Sequence, residues 1–288
     1  MADGSRRPVG GQRVLITGGA RGIGRATATA FATAGAQVAI GDLDLVLAEE
    51  TAAEIASQSG ARVVAFHLDV TDPSSFATFV KAAEDAIGPA DVLVNNAGIM
   101  PTGLFADEDP AMTRRMIDIN LGGVINGSRL AVQRFVPRGR GTIVNVASLA
   151  GVSGFPGVAT YCATKHAVVG FSAALSQEVR QCGLQVTVIL PGVVRTELSA
   201  GASVPSWMVK LSTVEPEDVG RAVVAAVGSA KARVTVPSVL GVMLFVMGLL
   251  PTRLRRWAEH ISGSDRAYVT ADPLARAIYH RRVTGQGR

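Results

Sequence analysis

Short apolar segments alternate with longer segments of helical periodicity in this chain, and this alternation constrains the fold most. The segments 13–17 (RVLIT), 37–42 (QVAIGD) and 185–192 (QVTVILPG) are apolar along nearly their whole length. That pattern is typical of parallel strands buried on both faces of a sheet. Because strands and helices follow each other in turn, we expect right-handed strand–helix–strand units. The sequence therefore predicts an α/β fold, a doubly wound parallel sheet with helices on both faces.

Length and composition indicate how the chain is divided. It has 288 residues, of which 48% are hydrophobic and 18% charged, so we expect a sizeable buried core. No linker or tandem repeat interrupts the alternation before about residue 237. We predict one domain over residues 10–237, followed by an extension over residues 238–288 that is first apolar and then basic.

Charge and cysteine content exclude several classes of function. The segment 253–288 carries eight arginines against three acidic residues, which accounts for the whole formal net charge of +5. A nucleic-acid-binding surface would place basic residues on the main fold as well, so we expect no nucleic-acid partner. The two cysteines and four histidines have no metal-ligand spacing, and the first residues do not resemble a secretory signal. We predict a reducing, cytoplasmic location and no metal site.

A glycine-rich stretch, TGGARGIG (17–24), follows the first predicted strand and opens a predicted helix. In such a turn Gly18 permits the tight bend, Gly22 lets the backbone approach a diphosphate, and Gly24 allows the helix to pack closely on the strand. The helix N-terminus offers free N–H groups and positive potential to phosphates. The turn alone could be an ordinary connection, but in this context it predicts nucleotide binding.

Acidic residues after the second and third strands indicate which nucleotide would bind. Asp42 closes the second strand, where its carboxylate could accept both ribose hydroxyls and repel a 2′-phosphate, which favours NAD over NADP. Asp44 could take this role instead, and Arg21 could help to hold a 2′-phosphate. Asp69 ends the third predicted strand, where it could meet an adenine or cap the following turn.

The chemistry depends on Tyr161 and Lys165, which are four residues apart in a predicted helix. That spacing places them one turn apart on one face. A free phenol has a pKa of about 10, and we expect the lysine charge, together with a bound nicotinamide cation, to favour the phenolate. The pair would then act as a proton donor and acceptor, and Ser148 could bind the reacting oxygen. A surface Tyr–Lys pair is the alternative interpretation.

Taken in order, these motifs resemble the classical short-chain dehydrogenase/reductase (SDR) family over about residues 10–237. The matching residues include Asn95–Gly98 (NNAG), Asn120 in DINLGG and 191–196 (PGVVRT). The resemblance implies a Rossmann-type domain of about seven parallel strands and NAD(P)-dependent oxidation of alcohols or reduction of ketones. It also implies a homodimer or homotetramer, with the tyrosine helix and the long helix before it packed across a two-fold axis.

The resemblance also implies roles for individual residues. Tyr161 would be the general acid/base, Lys165 would lower its pKa and hold the nicotinamide ribose, Ser148 would orient the substrate oxygen, and Asn120 would support a water in a proton relay. Val193 would approach the nicotinamide carboxamide, and Thr196 the carboxamide or the diphosphate. The implied cofactor-binding residues are Gly18, Arg21, Gly22, Ile23, Gly24, Asp42, Asp69, Val70, Asn96, Ala97, Gly98, Tyr161, Lys165, Pro191, Gly192, Val193 and Thr196.

The loops after the fourth, fifth and sixth strands are expected to line the substrate pocket, and their side chains are mostly apolar. They include Met100, Leu104, Phe105, Leu149, Val152, Phe155, Trp207 and Met208. Few charges are available there to bind a phosphate or a carboxylate. We therefore expect a small hydrophobic alcohol or ketone substrate, of the steroid, terpenoid or lipid kind.

The extension begins with SVLGVMLFVMGLLP (238–251), which is apolar on every side but shorter than the ~20 residues that a spanning helix needs. Arginines and a tryptophan follow in TRLRRWAEH (252–260), a composition suited to a membrane interface. A helix that covers the pocket or packs on a second subunit is the favoured interpretation, with peripheral membrane contact as the alternative. The segment DPLARAIYHRR (272–282) is predicted to be a short helix.

The sequence thus predicts an oxidoreductase that transfers a hydride between a nicotinamide cofactor, NAD rather than NADP, and a hydrophobic secondary alcohol or ketone. Two alternatives remain. The chain could be a non-catalytic dinucleotide-binding scaffold or sensor, because a fold does not determine a chemistry. It could also be a peripheral membrane protein that acts through its C-terminal extension.

Overall fold

A parallel sheet of seven strands forms the centre of the fold, as the sequence predicted. The computed structural model describes residues 9–199, 212–229, 231–251, 253–254, 268 and 279. The strands are β1 (Arg13–Thr17), β2 (Gln37–Asp42), β3 (Val63–His67), β4 (Val92–Asn95), β5 (Gly141–Val146), β6 (Leu184–Pro191), β7 (Val193–Val194), β8 (Thr213–Val214) and β9 (Arg233–Val236). The sheet order is β3-β2-β1-β4-β5-β6-β9, and β7 pairs with β8 in a separate two-stranded ladder.

Helices connect successive strands and cover both faces of the sheet. They are α1 (Gly22–Thr33), α2 (Leu45–Ser59), α3 (Pro73–Ile87), α4 (Pro110–Ile117), α5 (Gly123–Phe135), α6 (Ala159–Val179), α7 (Pro216–Ala226) and α8 (Ser238–Leu249). The start of α3 follows the local sequence, since Asp72 accepts the Ser74 N–H and Pro73 occupies the first turn. The helix α4 continues into α5 through a π-helical turn, Asp118–Gly122, so that the two form one long helical stretch before α6.

The core lies on both sides of the sheet, which explains why its strands are mostly apolar. Val14 and Ile16 of β1 face the side covered by α1, where Phe31 packs against them. Leu15 between them faces the opposite side, in the cluster that contains Phe76 of α3. Successive side chains of a strand alternate between faces, so a strand buried on both sides has no solvent-facing row of polar residues.

The order of the strands reverses between β1 and β4. From β1 the chain adds β2 and β3 on one side, and it then returns to add β4, β5 and β6 on the other. In open α/β sheets such a reversal leaves a crevice at the carboxyl ends of the strands, and ligands bind there. The turns that carry the predicted motifs follow β1, β4 and β5, and therefore meet at this crevice.

The helix α8 packs on the edge of the sheet beside β9. Leu240 on its inner side is buried, whereas Val239, Val242, Met243 and Val246 are exposed. These four apolar side chains follow helical spacing and form one outer face. Within the described part of the chain, no helix is long and apolar enough to cross a membrane.

Candidate active site

A cavity of about 1210 Å³ occupies the crevice at the carboxyl ends of the strands. Most of the predicted site residues line it: Gly18, Arg21, Gly22, Ile23, Asp42, Asp69, Val70, Asn96, Ala97, Gly98, Ser148, Tyr161, Lys165, Pro191, Gly192, Val193 and Thr196. Gly24 and Asn120 are not among its lining residues; they lie just behind the wall. We call the part around Gly18 and Asp42 the nucleotide end, and the part around Tyr161 the substrate end.

The glycine-rich turn at the nucleotide end has the geometry expected for a diphosphate site. Gly18 and Gly22 have φ values of 64° and 54°, which L side chains rarely adopt. A side chain at Gly24 would overlap the carbonyl oxygen of Gly18, so close approach requires glycine there. No side chain caps the N-terminus of α1 at Arg21, which leaves its N–H groups available to an anion. These residues fit the phosphates of a dinucleotide.

Asn96 ties the turn after β1 to the end of β4. Its side-chain amide donates to the carbonyl oxygens of Thr17 at 2.9 Å and Gly18 at 3.0 Å. The hydroxyl of Thr17 accepts the backbone N–H groups of Asn96 at 3.0 Å and Ala97 at 3.1 Å. Asn96 therefore fixes the ends of β1 and β4 beside each other.

Asp42 supports the turn and also faces the cavity. One of its oxygens accepts the Ala20 N–H at 3.0 Å, and the other accepts the Asp44 N–H at 3.1 Å. Arg21 is paired with carboxylates, at 2.8 Å from Asp44 and 3.8 Å from Glu197. The cation that could have attracted a 2′-phosphate therefore already has two acidic neighbours.

Asp69 lies beyond the third strand, and the prediction that it ends that strand is wrong, because β3 ends at His67. One oxygen of Asp69 accepts both the backbone N–H of Thr71 at 2.9 Å and its hydroxyl at 2.7 Å. The turn-capping interpretation therefore holds. Asp69 and the neighbouring Val70 also line the cavity, so the adenine interpretation stays open.

Tyr161 and Lys165 are both buried at the substrate end, with exposed fractions of 6% and 4%. The lysine Nζ donates to the Val146 carbonyl oxygen at 3.0 Å and lies 5.6 Å from the centre of the Tyr161 ring. Burial raises the pKa of Tyr161, and a hydrogen bond with Ser148 acts in the opposite direction. Burial lowers the pKa of Lys165 to about 8.

The pKa of Tyr161 reflects opposing influences. Burial raises it above its ordinary value because desolvation disfavours the charged phenolate, whereas the hydrogen bond with Ser148 favours the phenolate. The expectation that Lys165, together with a bound nicotinamide cation, favours the phenolate stays a prediction.

Asn120 sits in the π-helical turn between α4 and α5, fully buried. Its amide oxygen accepts the Ile99 N–H at 2.8 Å, and its amide nitrogen donates to the Ile99 carbonyl at 2.9 Å and to the Thr164 hydroxyl at 3.2 Å. A side chain at Gly98 would meet Asn120 Oδ1 at 3.2 Å and Lys165 Nζ at 3.6 Å. Asn120 thus holds the loop after β4 against α6.

The segment after β6 closes the cavity over the glycine-rich turn. Pro191, Gly192, Val193 and Thr196 line the cavity as predicted. A side chain at Gly22 would meet the Thr196 methyl group at 3.3 Å, so this threonine lies against the proposed diphosphate position.

The predicted apolar pocket wall is only partly correct. Met100 is buried and lines the cavity, but Leu104 and Phe105 are 55% and 70% exposed and do not line it. Leu149 and Val152 pack against a core cluster instead. Trp207 and Met208 lie outside the described residues.

Two tyrosines of the extension were missed by sequence reasoning. Tyr268 and Tyr279 line the cavity, and the Tyr279 hydroxyl accepts the Met100 N–H at 2.7 Å. Nothing in their spacing could have indicated this, because 179 residues separate Tyr279 from Met100. The rest of the predicted helix over 272–282 lies outside the described residues.

A family model described as short chain dehydrogenase matches residues 12–205. The curated relatives include "Probable oxidoreductase EphD" of Mycobacterium tuberculosis, 41% identical over 188 residues, which are 65% of this chain and 32% of that protein. This chain therefore spans about a third of EphD. Another relative is "3-alpha-(or 20-beta)-hydroxysteroid dehydrogenase" of Mycobacterium bovis, 39% identical over 66% of this chain and 71% of that protein.

A solved structure shares the fold. It is a short chain dehydrogenase/reductase from Burkholderia phymatum in complex with NAD, with a TM-score of 0.76 and 22% identity. The alignment covers 84% of this chain and 94% of that one.

Proposed function

Because the chain belongs to the short-chain dehydrogenase family, we propose that this oxidoreductase transfers a hydride between NAD and a hydrophobic secondary alcohol or ketone. The observation that carries the proposal is the group of Ser148 and the buried Tyr161 and Lys165 at one end of a cavity whose other end suits a dinucleotide. We further propose that residues 10–237 form the catalytic domain. Nicotinamide supplies the hydride donor or acceptor when it is bound.

Tyr161 Oη gives a proton to the substrate oxygen in reduction and takes it back in oxidation. A phenol whose pKa is raised by burial is protonated at neutral pH, which suits the donor role. In the oxidative direction, the hydrogen bond from Ser148 lowers the cost of forming the phenolate. Ser148 can hold the substrate oxygen beside Oη.

Lys165 and Asn120 support this proton transfer from behind. Lys165 is fixed by Val146 and lies near the ring of Tyr161, where a positive charge stabilises the phenolate. Asn120 fixes Ile99 and Thr164, the latter on the same helix as Tyr161. We propose that Asn120 positions these groups and supports a water in the proton relay.

We propose NAD as the preferred cofactor. The carboxylate of Asp42 faces the nucleotide end, and Arg21 is neutralised by Asp44 and Glu197. A 2′-phosphate would therefore meet net negative charge there. Calorimetric titration of the purified protein with NADH and with NADPH tests this preference directly. We expect tight binding of NADH and weak binding of NADPH. The reverse would overturn the cofactor assignment, and binding of neither would contradict a nicotinamide-dependent activity.

We propose a lipophilic substrate of the steroid, terpenoid or lipid kind. The substrate end is formed by Met100, Tyr161 and the two tyrosines of the extension, which are apolar or aromatic. A relative named for hydroxysteroid oxidation supports this class. The test is NADH formation from NAD with a 3α-hydroxysteroid, 1-phenylethanol and glycerol 3-phosphate. Turnover of the first two and not of the anionic alcohol is expected; preference for the phosphate ester would contradict it.

We propose a homodimer or homotetramer through α5 and α6. The outer side of α6 exposes the small residues Ala163, Ala173 and Ala174, which allow two helices to approach closely. Light scattering should give a mass of two or four chains, and Ala173→Arg should reduce it. An unchanged monomer mass in both proteins would contradict the proposal.

A further inference from the structure

All three tyrosines of the chain line the same cavity. Tyr161 belongs to α6, within the part that the family model matches, whereas Tyr268 and Tyr279 lie well beyond its end at residue 205. The extension thus returns to the substrate end after α8. Tyrosine is rare in this protein, so its concentration at one cavity points to a role in the site.

Tyr279 makes a specific contact with the loop after β4. It is 4% exposed, and its hydroxyl accepts the backbone N–H of Met100, which is itself 3% exposed. The residue before Met100, Ile99, is bound through both its backbone groups by Asn120. Two successive residues of the loop are therefore held by different parts of the chain, Ile99 by Asn120 and Met100 by the extension.

Tyr268 packs on the aromatic ring of Phe155. The two ring centres are 6.1 Å apart and the planes are inclined by 77°, which is a favourable edge-to-face arrangement. Both rings join the buried cluster that contains Tyr161 and Met100. Tyr268 and Tyr279 line the same cavity as the reacting phenol of Tyr161, and both act to raise its pKa.

We propose that the extension completes the active site: Tyr279 is a positioning residue that fixes the loop at Met100, and Tyr268, supported from behind by Phe155, forms an aromatic wall that limits substrate size. The nature of the substrate rests on the function proposed above, whereas the fixing of the loop does not. The ligand class that fits this wall is a flat, ring-containing lipophilic alcohol.

The first test is hydrogen exchange of the peptide that contains Met100, measured by mass spectrometry on the full chain. Tyr279→Phe keeps the ring and removes the acceptor, so exchange there should become about ten-fold faster. Tyr268→Phe is the matched control, and its loop should exchange at the wild-type rate. Equal exchange in wild type and Tyr279→Phe would overturn the positioning role.

The second test separates binding from chemistry. In Tyr279→Phe, KM for a 3α-hydroxysteroid should rise about ten-fold, with the Kd for NADH within about two-fold of wild type. In Tyr268→Ala, the ratio of kcat/KM for the steroid to that for 1-phenylethanol should shift about ten-fold, because the wall is removed. An unchanged ratio of the two kcat/KM values would contradict the proposal that Tyr268 forms the wall.

The outcomes also separate this inference from the proposed function. If the wild type oxidises neither alcohol, the proposed function fails, and the exchange measurement alone then decides the role of the extension. If the alcohols are oxidised but exchange and kinetics are unchanged in both variants, the function stands and the inference is wrong.

Discussion

The two ends of the cavity are built in different ways. At the nucleotide end, the residues that line the cavity lie at or just after the ends of β1, β2 and β4. Short turns and backbone hydrogen bonds fix them, as in the bonds from the Asn96 side chain to the carbonyl oxygens of Thr17 and Gly18. At the substrate end, the wall is assembled from segments far apart in the chain, as in the contact between Met100 and Tyr279. The first end depends on local chemistry and the second on tertiary placement, so each should respond to its own set of substitutions.

The largest effect should come from Tyr161→Phe, which breaks the substrate end alone. Removing the hydroxyl removes the proton donor and acceptor, so kcat should fall by about 10²- to 10⁴-fold. The Kd for NADH should stay within about two-fold, because the nucleotide end is untouched. Steady-state kinetics and calorimetry on the same preparation check both. Retention of most of kcat would remove Tyr161 from its role.

Gly24→Ala should break the nucleotide end. The added methyl group would overlap the carbonyl oxygen of Gly18. Relieving this overlap should lower the free energy of unfolding by about 3 kcal/mol and weaken the affinity for NADH at least ten-fold. Gly154→Ala is the matched control, since no described atom lies within 4 Å of the added atom there and its φ is not in the left-handed region. Urea unfolding should show the control at or above wild-type stability. Equal behaviour of the two variants would contradict the packing argument.

Lys165→Met should change how stability depends on pH. Burial lowers the pKa of Lys165 to about 8, below the value of about 10.4 for an unfolded chain. Between these values the unfolded chain binds more protons at this residue, so the free energy of unfolding rises with pH. The methionine variant lacks this contribution. From about pH 7.5 to about pH 9.5, wild type should gain about 2 kcal/mol relative to the variant, measured by urea unfolding. A constant difference would mean that Lys165 is not desolvated.

Asp42→Ala should change the cofactor affinity at the nucleotide end. It removes the acceptor for the N–H groups of Ala20 and Asp44 and the negative charge near the ribose position. We expect NADH affinity to fall about ten-fold and the preference over NADPH to shrink. Calorimetry with both cofactors measures this. An unaltered preference would assign the selection to Asp44.

The smallest effect is expected on the outer face of α8, which belongs to neither end. Val242 is 66% exposed, so Val242→Ala should change the unfolding free energy by less than about 0.5 kcal/mol. Leu240→Ala, on the buried side of the same helix, should cost about 2–5 kcal/mol. A large loss in Val242→Ala would show that a partner or a membrane covers this face in solution.

The sequence predicted most of the sheet and the nucleotide end because both are determined locally. An apolar segment followed by glycines or an asparagine predicts where a strand ends and which ligand its turn could bind, as at Gly18 and Asn96. Patterns of this kind could not place Leu104 and Phe105, which are apolar but exposed. Nor could they divide the long helix at Asn120, since a π-helical turn has no simple sequence signal. The two tyrosines of the extension depend on how distant segments pack, which no spacing along the chain records.

The protonation of Tyr161 and Lys165 depends on packing for the same reason. The four-residue spacing places the two side chains on one helix face, but the degree of burial of both is a tertiary property. Desolvation acts against the phenolate and against the ammonium alike. A motif therefore identifies which groups meet, whereas the surrounding packing determines the protonation state in which they meet.

The most direct test of the account is transfer of deuterium to a lipophilic ketone from NADH that carries deuterium at both C4 positions of the nicotinamide, followed by mass spectrometry of the alcohol. The account predicts one deuterium on the carbinol carbon with the wild type, and a rate about 10²- to 10⁴-fold lower with Tyr161→Phe. An alcohol without deuterium, or a label transferred equally fast by the variant, would contradict it.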